Sequence, residues 1–268
     1  MTLLESILLG IVQGLTEFIP VSSTAHLLIA QDLLGLPAGD LMFAFLVIIQ
    51  LGTVLSLIAL FWEDLWSILR ATPDCRHASF ERTLGLHIIL ATIPAALVGY
   101  LLRGAVEALF RQPLTEAAIR LFSAAIFMTL AELLGRRTRG LDSMTWLDAV
   151  FVGLCQVIAV FPGASRSGAT IGGGMLRGLD RPAAARFAFL ISIPIMLGAG
   201  GYQVLDVIHV PGLAGILPAI LAGFASAAVV GWFAARWLLG YLNRHSLYAF
   251  AAYCGAAGLA ALLLRSLA

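Results

Sequence analysis

The chain alternates long apolar stretches with short segments that carry most of its charged residues. Six stretches have no charge or almost none and reach the roughly 20 residues that an α-helix needs to cross the hydrocarbon core of a membrane. These stretches predict an all-α polytopic membrane protein with six transmembrane helices, at residues 41–62, 84–102, 117–134, 187–205, 213–235 and 246–264.

Two further apolar runs are interrupted near their middle. The run at 3–19 stops at Pro20, the run at 146–161 stops at Pro162, and each resumes within a few residues. Proline removes a backbone donor, and the serines and threonines that follow favour a new helix start. The second arms, which end near residues 34 and 176, are too short to cross the membrane at 1.5 Å per residue. Both runs therefore predict re-entrant hairpins of helix, break and helix.

The two halves of the chain resemble each other. A shift of 144 positions pairs residues 43–46 with residues 187–190 letter for letter. A shift of 143 positions pairs identical residues in the same order, among them Gly10 with Gly153, Gln13 with Gln156, Phe18 with Phe161, Ser22 with Ser165 and Gly35 with Gly178. The pattern predicts a single membrane domain, 1–268, built from repeat one at about 1–134, a linker at about 135–145 and repeat two at about 146–264.

Three predicted spans separate the two hairpins, and this number sets their relative direction. An odd number of crossings makes the second hairpin enter from the opposite side of the membrane. The halves are therefore predicted to be inverted-topology repeats whose two breaks meet near the midplane, an arrangement that membrane proteins use for binding sites.

Composition agrees with a membrane location. The 268 residues are 60% hydrophobic and 12% charged, far from the roughly 25% charged residues of soluble domains. The net charge of +1 suggests no nucleic-acid partner. All 16 basic residues are arginine; the predicted topology places eleven on one face and four on the other, with Arg166 at a break. The positive-inside rule makes the arginine-rich face cytoplasmic, so the first hairpin and its pocket are predicted to open outward.

The candidate chemistry is concentrated at the two breaks. Glu17, His26 and Arg166 are ionisable groups inside apolar segments, where such residues mark functional sites by default. Gln13 shares a helix face with Glu17 four residues on. Two half-helix N-termini and a guanidinium suit a multiply charged oxyanion, for which pyrophosphate is the natural candidate. A serine nucleophile, a histidine and a carboxylate would supply the parts for phosphoryl transfer.

Each of these residues also has a structural interpretation. Serines after a proline break are more often simple helix caps, Glu17 is about as well explained as an ion-pair partner of Arg166, and a lone His26 would more often be a satisfied buried histidine. The residues predicted to cap the second arms are Ser22, Ser23, Thr24, Ser165, Ser167 and Thr170. Their concentration at two related breaks favours the functional interpretation.

Two segments match a known pattern. The residues from Gln13 to His26, and those from Phe161 to Thr170, resemble the two signature motifs of bacterial undecaprenyl-pyrophosphate phosphatases, the bacitracin-resistance BacA or UppP family. The resemblance covers essentially the whole chain. It implies a multi-pass protein of the bacterial cell (inner) membrane that hydrolyses undecaprenyl pyrophosphate to undecaprenyl phosphate and phosphate. This reaction recycles the lipid carrier for peptidoglycan synthesis, and its increase is associated with bacitracin resistance.

The resemblance also implies roles by position. Ser23 and His26 match the catalytic serine and histidine, Glu17 matches the glutamate of the first motif, and Arg166 matches the pyrophosphate-binding arginine. A divalent cation, Mg²⁺ or Ca²⁺, is implied as cofactor, with Glu17 as its candidate ligand. Gln13 departs from the two-glutamate form of the motif and removes a second possible ligand. The remaining residues match the substrate-binding lining, namely Gln13, Ser22, Thr24, Ser165, Ser167 and Thr170.

Other functions remain open at this point. A secondary transporter or flippase for an anionic lipid or small anion also uses inverted repeats with broken helices, although transport needs no nucleophile. The second membrane phosphatase superfamily, the PAP2 type, uses a lysine-containing motif, and this chain has no lysine. A purely structural membrane protein would leave Glu17, His26 and Arg166 unexplained. Either Ser23, with His26 as its base, or His26 itself could attack phosphorus; we favour Ser23.

Overall fold

The computed structural model describes residues 1–71, 79–101, 113–158 and 165–267, with the side chains of 113–116 and 264–267 outside the description. In these ranges the protein is all-α. The first half contains α1 Leu3–Phe18, α2 Ser23–Leu33, α3 Asp40–Leu60, α4 Trp62–Ala71, α5 Phe80–Leu101 and α6 Pro113–Leu134. The second half contains α7 Trp146–Ile158, α8 Arg166–Leu176, α9 Arg181–Val207, α10 Leu217–Leu242 and α11 Tyr248–Leu267.

Five helices are long and apolar enough to cross a membrane, which confirms a multi-pass membrane protein. They are α3, α5, α6, α9 and α10, the last extended by the short 3₁₀ helix Leu213–Ile216 before it. The sixth predicted span corresponds to α11, which is 20 residues long; its part Tyr248–Leu263 is apolar but shorter than a full span. The sequence did not predict α4, a separate short helix that begins after Phe61, the residue at the C-cap of α3.

Both predicted hairpins are present as paired short helices. The first consists of α1 and α2, separated by the four residues around Pro20, and α1 and α2 pack against each other. The second consists of α7 and α8, which also pack together. The predicted break at Phe161, Pro162, Gly163 and Ala164 lies outside the described residues.

The first arm of each hairpin packs against a helix of the other half of the chain. The first arm α1 packs against α10 of the second half, and the first arm α7 packs against α5 of the first half. Both contacts depend on glycine, because a Cβ on Gly14 would lie 2.8 Å from the backbone nitrogen of Gly231 and a Cβ on Gly153 would lie 2.6 Å from the carbonyl oxygen of Ala91. Small residues allow such close helix packing in membranes. This reciprocal packing agrees with a duplicated unit, while the boundaries of the repeats and their inversion stay predictions.

Large apolar side chains point outward from the helices. Leu97, Ile126 and Leu205 are more than half exposed, although each lies in a helix long enough to span a membrane. A protein in water rarely tolerates so much contiguous apolar surface. Lipid tails are the environment that accommodates these faces.

Buried carboxylates hold one end of the bundle together. Glu132, at the end of α6, accepts hydrogen bonds from both Arg181 nitrogens Nε and Nη2 at 2.8 and 2.6 Å, from the Leu247 backbone N–H at 2.7 Å and from Arg137. It therefore joins the starts of α9 and α11 to the end of α6.

A second buried carboxylate, Asp148 in the first turn of α7, extends this end of the bundle. It accepts from Arg139 Nη2 at 2.8 Å and Arg177 Nε at 2.7 Å. Arg186 in α9 pairs with Asp64 in α4 at 2.7 Å. The segments after α3, after α6, after α8 and before α11 thus lie at the same end, which agrees with the predicted clustering of arginines on one face.

We expect Glu132→Ala to destabilise the protein by about 3 kcal/mol or more, because the substitution leaves two guanidinium groups and a buried N–H without their acceptor. Thermal unfolding in detergent measures the effect. Asp64→Asn is the matched control: its ion pair with Arg186 is partly exposed on both sides, so the expected change is about 1 kcal/mol or less. Equal effects of the two substitutions would contradict this account of the bundle end.

Candidate active site

The site begins on one face of α1. Gln13 and Glu17 are both buried, and the four-residue spacing that the sequence shows brings their side chains together as predicted. The Gln13 amide nitrogen Nε2 donates to Glu17 Oε2 at 2.8 Å. An intramembrane carboxylate needs such donors, because an unpaired charge in the low-dielectric interior is very unfavourable.

The first break places Ser22 in an uncommon backbone conformation. Ser22 has φ 68° and ψ 92°, a region that non-glycine residues rarely adopt outside functional or strained positions. Its carbonyl oxygen accepts from the backbone N–H of His26 at 3.3 Å and lies 2.9 Å from His26 Nδ1. The predicted capping by Ser22 is wrong, because its hydroxyl makes no cap hydrogen bond although the residue occupies the N-cap position.

Ser23 is the first residue of α2, and its hydroxyl points back to α1. Ser23 Oγ donates to Glu17 Oε2 at 2.6 Å. The same oxygen also accepts from Gln13. The helix start therefore presents an alcohol whose proton already points at a carboxylate, and Thr24 follows it with an exposed side chain.

The second break meets the first at the same carboxylate. Arg166 is the first residue of α8, and its Nη2 forms an ion pair with Glu17 Oε1. Ser23 and Arg166, which are 143 residues apart and correspond in the predicted repeat, thus bind the two oxygens of one side chain. The prediction that both breaks lie close together is confirmed by these contacts.

The hydroxyl groups of the second hairpin form a buried cluster around the start of α8. Ser165 is the N-cap and accepts from the Gly168 N–H at 3.3 Å, as predicted. Ser167 Oγ lies 3.1 Å from Ser165 Oγ, and Thr170 donates back to the Arg166 carbonyl at 2.8 Å. The predicted capping by Ser167 and Thr170 is wrong, because their hydroxyls bond within the cluster rather than to free N–H groups.

His26 does not contact Ser23 through a hydrogen bond; it is held between Ser22 and Tyr253. Its Nε2 lies 2.7 Å from the Tyr253 hydroxyl, and the two rings stack with centroids 5.6 Å apart. The Ser22 carbonyl can only accept, so Nδ1 carries the proton there and Nε2 accepts from the tyrosine. We expected a hydrogen bond between His26 and Ser23, but the Ser23 hydroxyl donates to Glu17 instead.

Tyr253 is a residue that the sequence interpretation missed. It lies in α11, and the adjacent Cys254 Sγ donates to the Pro20 carbonyl at 3.7 Å, so this helix covers the first break from the other half. A polar tip inside an apolar span was the available signal, but no spacing relates Tyr253 to His26 across 227 residues.

The protein groups at the site do not by themselves fit a divalent cation. Hard cations require several oxygen ligands, whereas Glu17 is the one carboxylate that these contacts bring to the site among the described residues, and it already receives hydrogen bonds from Gln13, Ser23 and Arg166. Within the described ranges no group of three or more histidine, cysteine or acidic residues could hold a metal ion. The glutamine at position 13 explains this, because its amide nitrogen donates where a second carboxylate would accept.

The arrangement combines a polarised alcohol, a carboxylate and a cation with spare hydrogen-bonding capacity. A guanidinium has five N–H donors in a planar fork. Arg166 uses Nη2 toward Glu17, and its buried Nε has no hydrogen-bond partner among the residues that the structure describes. The guanidinium can therefore accept an oxyanion while Ser23 remains hydrogen-bonded to Glu17, and an alcohol on a carboxylate beside a cation is a set of groups that suits phosphoryl transfer to serine.

Comparison with known proteins gives a consistent result. A family described as bacitracin resistance protein BacA matches residues 6–260. Proteins named undecaprenyl-diphosphatase are similar over nearly their whole length: the one from Rubrobacter xylanophilus is 42% identical over 270 residues, covering 98% of each chain. The one from Corynebacterium striatum is 40% identical over 274 residues, covering 100% of this chain and 96% of the relative. The one from Pelotomaculum thermopropionicum is 39% identical over 264 residues, covering 98% and 97%.

We expect Tyr253→Phe to lower kcat about tenfold while KM and the unfolding temperature stay close to those of the wild type. The substitution keeps the stacked ring but removes the donor to His26 Nε2, so the imidazole loses one of the two hydrogen bonds that hold it in place. Steady-state kinetics and thermal unfolding in detergent measure the three quantities.

Tyr248→Phe, on the same helix, is the matched control and should change none of them. A Tyr253→Phe protein with wild-type kcat would show that the hydroxyl contributes only to packing.

Proposed function

This chain belongs to the bacitracin resistance protein BacA family, and from that membership we propose that it hydrolyses undecaprenyl pyrophosphate to undecaprenyl phosphate and inorganic phosphate. The relatives named undecaprenyl-diphosphatase support the substrate and the reaction. The observation that carries the proposal in this chain is the shared carboxylate, with Ser23 on one oxygen of Glu17 and Arg166 on the other. The product re-enters peptidoglycan synthesis as the lipid carrier.

In the proposed mechanism Ser23 is the nucleophile. Its Oγ attacks the terminal phosphorus of the substrate, its proton passes to Glu17, and the anhydride bond to undecaprenyl phosphate breaks. Water then attacks the phosphoserine, and inorganic phosphate leaves as the serine regains its proton. Glu17 acts as the base in the first step because the hydroxyl already donates to it at 2.6 Å.

Two observations favour Ser23 over His26 as the attacking group. The Nδ1 of His26 faces the Ser22 carbonyl and its Nε2 faces the Tyr253 hydroxyl, so neither nitrogen presents a free lone pair. Ser23 lies at the start of α2, beside N–H groups that can hold phosphoryl oxygens. We propose that His26 assists proton transfer, with the Ser22 carbonyl setting its tautomer and the Tyr253 hydroxyl holding its ring.

Arg166 is proposed to bind the pyrophosphate, helped by the starts of both second arms. The guanidinium neutralises the charge of the leaving phosphate, and the helix dipoles favour the anion. The polar side chains around the breaks are proposed to line the pocket; they are Gln13, Ser22, Thr24, Ser165, Ser167 and Thr170.

The length of the second arms supports a site near the membrane midplane. Helices α2 and α8 have 11 residues each, or about 16 Å at 1.5 Å per residue. Helix α8 begins at the site and runs to the arginine-rich end. Helix α2, the second arm of the other hairpin, also begins at the site. Together they match a hydrocarbon core of about 30 Å, so the lipid tail can lie in the apolar region while its head group reaches the polar pocket.

A divalent cation, Mg²⁺ or Ca²⁺, belongs to the proposal through the family alone. The protein donors at Glu17 do not complete a site for it, so any such ion would take most of its oxygen ligands from the substrate and from water. The mechanism above assigns no step to it.

We also propose that the protein lies in the bacterial cytoplasmic membrane with the pocket open to the outer face. The clustering of arginine-bearing segments at the opposite end supports this orientation through the positive-inside rule. Movement of an anionic lipid across the membrane is the alternative function, and the reciprocal packing of the hairpins is the observation that supports it. Release of phosphate by the purified protein distinguishes hydrolysis from movement of the lipid.

We expect Ser23→Ala to lose phosphate release by on the order of 10³-fold or more, as removal of a nucleophile does, and to abolish any covalent phosphoenzyme. We expect His26→Ala to lose about 10²-fold, the lower range for a proton-transfer group. The assay is phosphate release from undecaprenyl pyrophosphate by purified protein in detergent.

Ser192→Ala is the matched control, because the Ser192 hydroxyl bonds the Ala188 carbonyl at 2.7 Å within α9 and takes no part in the proposed site. Trapping a phosphate on His26 in the Ser23→Ala protein would overturn the assignment of the nucleophile.

The orientation can be tested with a single cysteine at Arg136, in a background in which Cys75 is replaced by serine. We expect a membrane-impermeant maleimide to label this cysteine in inverted vesicles but not in intact cells, because the arginine-rich end faces the cytoplasm. Cys155 and Cys254 are buried and can stay in place, and the protein without the Arg136 substitution measures any labelling of these two residues. Labelling from outside intact cells would reverse the proposed topology.

A further inference from the structure

Gln156, in the last turn of α7, is a buried amide without a hydrogen-bond partner. The residue is 2% exposed, and across the described ranges neither Oε1 nor Nε2 finds a donor or acceptor. Nearly all buried polar side-chain atoms in proteins are paired, and each exception calls for an explanation such as a missing ligand or water. An amide left unpaired in this way costs about 1–3 kcal/mol of stability.

The position of Gln156 on α7 places it toward the second break. One turn earlier, Val152 lies against Gly173 of α8 and Gly153 lies against Ala91 of α5. Residues three and four apart share a helix face. Gln156 therefore continues the face that α7 presents to α5 and α8, at the end of the helix that leads to the break.

The first half shows what an amide at this place does. The shift of 143 positions that pairs Gln13 with Gln156 also pairs Ser23 with Arg166. In the first half, the Gln13 amide and the Ser23 hydroxyl converge on one carboxylate oxygen, Glu17 Oε2.

The second half lacks that carboxylate. The residue that corresponds to Glu17 is Val160, whose apolar side chain can accept no hydrogen bond. Among the described residues, the amide of Gln156 and the Nε of Arg166 both lack a hydrogen-bond partner. The second half therefore keeps two donors, Gln156 and Arg166, at the positions that correspond to Gln13 and Ser23. It lacks the carboxylate oxygen to which Gln13 and Ser23 both donate.

We propose that Gln156 is a substrate-binding residue: its amide Nε2 and Arg166 Nε bind an oxygen of the pyrophosphate group, which takes the place that the Glu17 carboxylate oxygen has in the first half. The second hairpin then supplies an anion subsite for the head group, while the first supplies the nucleophile. This inference rests on the proposed function, because it assigns the second hairpin a role in holding the same substrate.

The test uses Gln156→Met in the full-length protein. An unbranched apolar side chain of similar length removes the unpaired amide, so the unfolding temperature without substrate should stay or rise. The KM for undecaprenyl pyrophosphate should rise about tenfold, the effect of losing one hydrogen bond to a charged group, with kcat within about threefold of the wild type. Stabilisation of the protein by inorganic pyrophosphate in thermal unfolding should decrease in parallel.

Cys155→Ala is the matched control, because Cys155 precedes Gln156 and packs against α8 without belonging to the proposed site. Its truncation should lower the unfolding temperature and leave KM unchanged. A Gln156→Met protein with wild-type KM and wild-type response to pyrophosphate would overturn the inference and assign the amide to a bound water. Failure of the proposed function is a separate result, in which the wild-type protein itself releases no phosphate.

Discussion

The buried carboxylate of Glu17 is the interaction on which the site depends. A charge inside a membrane must be neutralised, and a break in a helix must be covered by protein. Glu17 meets both requirements at once, because Ser23 at the first break and Arg166 at the second bind its two oxygens. Any geometry that satisfies this carboxylate brings the Ser23 hydroxyl and the Arg166 guanidinium together.

The rest of the fold supports this meeting point from three directions. Glycine contacts allow α1 and α7 to pack closely against helices of the opposite half. Helix α11 covers the first break through Tyr253 and Cys254. At the far end of the bundle, Glu132 and Asp148 bind the arginines of several connecting segments. Two of the buried carboxylates therefore hold one end of the bundle together, and a third, Glu17, joins the two hairpins.

The duplicated pattern explains both the likeness and the difference between the hairpins. At one pair of corresponding positions both hairpins have a glutamine, Gln13 and Gln156. At the other pair the first hairpin has Ser23 and the second has Arg166. One hairpin thus carries the alcohol, and the other carries the cation. The proposed phosphoryl transfer uses both groups on the same phosphorus. Neither hairpin carries both groups, so the proposed site depends on the contact between the two hairpins at Glu17.

The sequence by itself determined the five described helices that are long enough to span a membrane and the two interrupted runs that form the hairpins, because apolar run length and proline act locally. It also gave the shared face of Gln13 and Glu17, since helical spacing is local. Only the tertiary structure decided that Ser23 donates to Glu17, that His26 pairs with Tyr253, and that Ser167 and Thr170 bond within their cluster instead of capping. These partners are chosen by competition among donors and acceptors that packing brings within about 3 Å, and distance along the chain carries no information about that competition.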